Sequence, residues 1–218
     1  MLPRNCVSRC LRHATPTTHD RPSAQNALTC RAKASSFIIH LAWSTHLGPG
    51  SYLTPKPMAP QLLFDLSAHD LDKVLYDATH IESYNPHRGA MRLLDAIVWE
   101  DIDKNTHAIG YKDIRDDEFW VPGHIPGRPI FPGVLMIEAA AQFASYVTMR
   151  KYEKQMKIEF IGFAGVDNVK FRGQVTPGDR LYLLIDGFNM KPRRAICRAQ
   201  GVVNGNLVFE ATITGMPM

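Results

Sequence analysis

The stretch that decides the fold runs Val121-Pro122-Gly123-His124-Ile125-Pro126-Gly127-Arg128-Pro129-Ile130-Phe131-Pro132-Gly133 and continues as Val134–Met149, VLMIEAAAQFASYVTM. Four prolines and three glycines make the first part a stiff, turn-rich loop carrying one histidine. In the second part Glu138 is the only charge. A helix that is apolar nearly all round belongs inside a domain. A carboxylate is almost never fully buried unless it is paired or functional. The loop thus delivers His124, and a buried helix delivers Glu138 fourteen positions later.

Extended runs flank this unit on both sides. Upstream, Arg92–Glu100 and Thr106–Arg115 read as a hairpin around the charged turn Asp101-Ile102-Asp103-Lys104-Asn105. Downstream lie Ile158–Val169, Arg180–Met190, Arg193–Val203 and Leu207–Thr214. Gly162 and Gly165 point to a bulge in the first of these, and Thr176-Pro177-Gly178-Asp179 to a turn after it. Asn204-Gly205 is the strongest short hairpin signal in the chain. Arg150 and Lys151 close the helix, where cations suit the dipole. Strands before and after one long central helix give an α+β fold with an antiparallel sheet wrapped around that helix. Near the start of the body, Ser67-Ala68-His69-Asp70 has the spacing of a capping box. Leu71, Val74, Leu75 and Ala78 recur at helical spacing, so a short amphipathic helix is expected over Ala68–Ala78. Asn85-Pro86 breaks the chain. No period repeats, which excludes a solenoid.

The chain divides into an extension, 1–57, and a folded domain, 58–218. Its net charge of +4 is unevenly placed. The extension holds seven basic residues and one acid, Asp20, for +6; the rest of the chain carries −2. A nucleic-acid partner needs a basic face on the domain itself, so none is expected. Three readings of the extension stay open: an organelle transit peptide, a mis-called start with translation beginning at Met58, and a disordered tail. The start at Met58 is favoured, and in all three the chemistry lies elsewhere. Its apolar run Phe37–Trp43 is too short to cross a bilayer, so no membrane partner is expected. Only Cys197 of the four cysteines lies in the domain. That argues against a disulfide scaffold and suits a reducing, cytoplasmic compartment. No metal or cofactor motif is present.

Taken singly, His124 could be a packed loop histidine and Glu138 the partner of an arginine. Together they point to chemistry. Histidine is the natural proton acceptor near neutral pH. A carboxyl group in apolar surroundings is favoured in its neutral, proton-donating form. Pro132 suits the first helical turn, and Gly133 has no side chain to block an approaching atom. The free N–H groups of Gly133 and Val134 then point along the positive helix end, where they can hold a developing oxyanion. A base, an acid and a carbonyl polariser fit the dehydration of a 3-hydroxyacyl compound.

The run from Gly123 to Gln142 resembles the signature of bacterial (3R)-hydroxyacyl-acyl-carrier-protein dehydratases. Pro86-His87-Arg88 with Leu93-Leu94-Asp95 is similar to the family's first strand. Phe163-Ala164-Gly165-Val166-Asp167, Phe171-Arg172 and Pro177-Gly178-Asp179 are similar to its later strands. The resemblance covers about Ile81 to the C-terminus and implies a hotdog fold. It also implies reversible dehydration of the (3R)-3-hydroxyacyl carrier protein to the trans-2-enoyl form in fatty acid biosynthesis. His124 would be the catalytic histidine, Glu138 the catalytic acid and Gly133 a backbone donor to the thioester oxygen. Glu138 marks the glutamate branch, which dehydrates without isomerising. Further implied are a homodimer or trimer of dimers, with histidine and acid from different subunits, and a substrate carried on acyl carrier protein. Two apolar departures, Ile125 for the usual Phe and Phe131 for the usual Met, bear on acyl-chain length.

Val134 and Gln142 complete the expected substrate-binding set. Gln142, one turn after Glu138, reads equally as an orienting amide and as a satisfied core amide. His87 and Arg88 are expected to fix the strand entrance rather than do chemistry. The clusters Lys191, Arg193, Arg194 and Lys151, Lys154, Lys157 read either as docking sites for an acidic carrier protein or as solvated charged turns. Two other functions stay in view: a hotdog acyl thioesterase and a non-catalytic acyl-binding subunit.

Overall fold

The computed structural model describes residues 61–218, so the expectations for 1–57 lie outside the described residues. The apolar run forms the long helix α2, Gly133–Tyr152. Met136, Ala139, Ala140, Phe143, Ala144 and Val147 turn inward and are buried. The alanines let the helix lie close to the sheet, and Phe143 fills the space between. Full burial of such a ring is worth about 1.5–3 kcal/mol. In the last turn of the helix the Arg150 guanidinium donates to Glu100 at 2.9 Å and to Glu153 at 2.7 Å.

Around α2 wraps a sheet of seven strands: β1 Tyr76–Asp77, β2 Ala96–Asp101, β3 His107–Asp113, β4 Ile161–Phe171, β5 Arg180–Lys191, β6 Arg194–Val203 and β7 Asn206–Pro217. The order is β1-β2-β3-β5-β6-β7-β4, with every neighbouring pair antiparallel. The strand after the helix therefore crosses to the far edge and pairs with β7. The bulge expected in β4 is present: the register slips between Phe163 and Gly165, and again between Asp167 and Lys170. Asn204 and Gly205 take φ values of 49° and 76°, the paired left-handed conformation that a two-residue hairpin between twisted strands requires.

The helix expected over Ala68–Ala78 does not form. The segment holds one 3-10 turn at Leu66–Ala68, capped by the Asp65 carboxylate rather than by Ser67. It then runs irregularly to β1, and the short helix α1 starts only at Ala78 and ends at Glu82. Val74 and Leu75 are exposed. Tertiary contacts override the local spacing: Leu75 N–H donates to Ile97 O at 2.8 Å, and β1 pairs with β2.

Upstream, Gln61–Leu71 lies as a strap across the outer face of the sheet. Leu62, Leu63, Phe64, Leu66 and Leu71 pack on a second core made by Val98, Ile109, Tyr111, Leu184 and Val202 with Ala96. Gln200 ties the strap down, accepting from Leu63 N–H at 2.7 Å and donating to Gln61 O at 3.1 Å. The central strands are covered on both faces, which is why they read as nearly continuous apolar runs. Among the described residues no helix is long and apolar enough to cross a membrane.

Candidate active site

The histidine loop is anchored from below by β3. Lys112 and Glu118 form an ion pair at 3.0 Å, with 1% and 7% of their side chains exposed. Glu118 also accepts from Arg115 N–H at 2.9 Å and from the Trp120 indole at 3.0 Å. Burial alone would raise its pKa; the Arg115, Lys112 and Trp120 donors outweigh it and hold the carboxyl below its usual range. Trp120 packs edge-on against Phe131 at 5.5 Å, and its carbonyl accepts from His124 N–H at 2.8 Å. The loop closes through Arg128 N–H on Ile125 O, with Ile125 at φ 57°. A β-branched residue is unusual there.

These contacts leave His124 half-buried, with Nδ1 2.7 Å from Ile130 O. A carbonyl can only accept, so Nδ1 carries the proton. Nε2 is then a free lone pair, the form a general base needs.

At the start of α2, Leu135 and Met136 N–H both reach Pro132 O, leaving the Gly133 and Val134 N–H groups outside the helical ladder. Gly133 is constrained by more than openness. A Cβ there would lie 2.9 Å from the Phe171 ring of β4. Val134, Glu138 and Gln142 follow at i, i+4 and i+8, one stripe along the helix.

Glu138 lines a cavity of about 230 Å³ together with Gln142, Ser145, Phe163 and Cys197. It is not fully buried as the sequence implied: 28% of its side chain is exposed. Gln142 is a positioned amide. Its Oε1 accepts from Leu93 N–H at 2.9 Å, and its Nε2 donates to Met91 O and Glu138 Oε1, both at 2.8 Å. Cys197 is buried in the cavity wall, and burial pushes its thiol up to about 12, so it stays an inert apolar surface.

Within one chain, the structure brings Glu138 and Gln142 together at the cavity, and places His124, Gly133 and Val134 at the loop and helix start. His124 is not part of the wall of that cavity. The Pro86-His87-Arg88 segment divides its work. Arg88 fixes the strand entrance through the carbonyls of Asn85, His87 and Glu82. His87 instead reaches Glu138 Oε1 at 3.5 Å, a contact the sequence expectation missed. Of the two basic clusters, Lys191, Arg193 and Arg194 are exposed at the β5–β6 turn, whereas the Lys151 ammonium is taken up by the carbonyls of Ile102 and Asp103.

Among the described residues, a single antiparallel sheet wrapped on one long helix, with the cavity beside that helix, defines a hotdog-fold protein. The dehydratase heterocomplex ApeI:P from Xenorhabdus doucetiae shares this fold, with a TM-score of 0.51 at 18% identity over 63% of this chain and 90% of its own. The family model described as a FabA-like domain matches residues 85–212. The 3-hydroxyacyl-[acyl-carrier-protein] dehydratase FabZ of Bacillus velezensis is 38% identical over 142 residues, 64% of this chain and 96% of that protein. The FabZ of Bacillus subtilis is 36% identical over the same shares. The chain belongs to the FabA-like family, with the FabZ-type 3-hydroxyacyl-acyl-carrier-protein dehydratases.

Proposed function

We infer that this enzyme catalyses the reversible dehydration of a (3R)-3-hydroxyacyl thioester on acyl carrier protein to the trans-2-enoyl thioester, in fatty acid biosynthesis. The observation that carries the assignment of roles is the His124 ring, whose Nδ1 is committed to Ile130 O and whose Nε2 is left as a base. In this reading Nε2 takes the proton from the carbon next to the thioester carbonyl. The enolate oxygen is held by the N–H groups at the start of α2. Glu138 gives its proton to the hydroxyl two carbons from the carbonyl, the C–O bond breaks, and water leaves as the enolate electrons form the new double bond.

The site is proposed to form between two copies of the chain, His124 from one and Glu138 from the other. Two features support this. Glu138 lines the cavity of its own chain without His124. The edge strand β4 presents exposed Phe163 and Phe171, next to exposed Phe160, and an unpaired strand edge with large exposed apolar side chains needs cover. Gly133, Val134 and Gln142 are proposed to complete the substrate site.

The test is turnover of hydroxyacyl carrier protein, reading enoyl product against free thiol. Enoyl product without thiol release is expected; thiol release alone would make the chain a thioesterase. His124→Ala and Glu138→Gln should each lose most activity. Mixing the two dead variants should return about a quarter of wild-type activity if sites span two subunits, and no recovery would overturn the shared site.

A further inference from the structure

His87 lies between α1 and β2, after Pro86. Its Nε2 is 3.5 Å from Glu138 Oε1, and both residues line the cavity. Its Nδ1 is buried with no hydrogen-bond partner among the described residues. That orphaned atom fixes the ring's proton. A buried N–H without an acceptor is rarer and more costly than a lone pair without a donor. In its neutral form the ring therefore leaves Nδ1 bare, carries its proton on Nε2 and directs it at Glu138.

Gln142 aims at the same oxygen. Its amide cannot flip, because Oε1 is committed to Leu93 N–H and Nε2 to Met91 O, and the second amide hydrogen goes to Glu138 Oε1 at 2.8 Å. Two donors thus converge on Oε1. In a neutral carboxyl group, the oxygen that accepts two donors is the carbonyl oxygen, and the hydroxyl is the other one.

We propose that His87 is a positioning residue for the dehydration: its Nε2–H, together with Gln142, holds Glu138 Oε1 as an acceptor and so keeps the transferable proton on Oε2. At 3.5 Å the contact is longer than a hydrogen bond, and contacts of this kind tighten when substrate closes the site. The proposal rests on Glu138 acting as the acid.

Three variants at one position test it, beside Glu138→Gln, each assayed for enoyl formation and for thermal midpoint. His87→Leu removes the donor. His87→Gln places an amide N–H near the position of Nε2, and His87→Asn places one too short to reach Glu138. His87→Leu and His87→Asn should lower kcat about tenfold, the loss of one hydrogen bond made in the transition state, with KM nearly unchanged. His87→Gln should recover most of that kcat. A wild-type kcat in His87→Asn, or His87→Gln falling as far as His87→Asn, overturns the proposal; this comparison stands even if the leucine variant does not fold. Full activity in Glu138→Gln would instead overturn the dehydratase site, whatever His87 does.

Discussion

Replacing Lys112 by methionine should loosen the loop that carries His124. Methionine keeps the aliphatic bulk of the side chain and removes the ammonium, with its charge and its N–H donors. Glu118 would keep its bonds from Arg115 N–H and the Trp120 indole, yet stay buried without a cation. Breaking a buried pair by removing one partner costs about 3–5 kcal/mol. At roughly 2–4 °C per kcal/mol for a domain of this size, the melting temperature should fall by roughly 6–20 °C. Adding Glu118→Leu should not restore stability fully, because the Arg115 and Trp120 donors would then be unpaired at about 1–3 kcal/mol each. The sign of the pH dependence follows from Glu118. Its pKa is held low in the folded state, so its contribution is present above the unfolded carboxylate pKa and is lost as pH falls through the folded one. The gap between wild type and Lys112→Met should therefore be full near neutral pH and shrink below about pH 4. Urea unfolding at both pH values measures it. A loss below about 1 kcal/mol at neutral pH, far short of the buried-pair value, or a gap that does not narrow on acidification, would refute the reasoning.

Gln142→Leu should destabilise by about 1–3 kcal/mol, because the buried Leu93 N–H loses its acceptor while the exposed Met91 carbonyl can turn to water, and it should lower kcat as well; chemical unfolding and turnover read the two effects. Gly133→Ala forces a methyl group against the Phe171 ring and should cost about 1–3 kcal/mol, and pairing it with Phe171→Leu should recover stability if that clash is the cause. Ile125→Gly releases a left-handed β-branched residue and should raise the unfolding free energy by up to about 1 kcal/mol after the added flexibility of the unfolded chain, read as a higher urea midpoint.

Short-range chemistry made much of this molecule readable in the sequence. The Asn204-Gly205 hairpin, the Thr176–Asp179 turn and the apolar run of α2 each follow from residues adjacent in the chain, and each forms where expected. Leu71, Val74 and Leu75 carry the same helical spacing yet do not form a helix, because the sheet they meet is built from residues beyond Ala96. Periodicity reports which residues want burial and not which surface will bury them. In the candidate site, the motif exposed His124, Glu138 and the helix start. It could not expose His87, because that contact joins residues 51 positions apart in sequence. Nor could it show that Glu138 is partly open, since exposure depends on what packs around a residue in space and not on its neighbours in sequence.

The strap has a practical corollary. Cutting the chain where the family match begins, at Asn85, would strip five greasy side chains from the convex side of the sheet and leave the Gln200 amide without its two tethers. Such a truncate should clump at concentrations the longer form tolerates, through bare aliphatic surface that water cannot wet cheaply. A tidy expression product of this enzyme should therefore begin no later than residue 61, whatever boundary its relatives recommend.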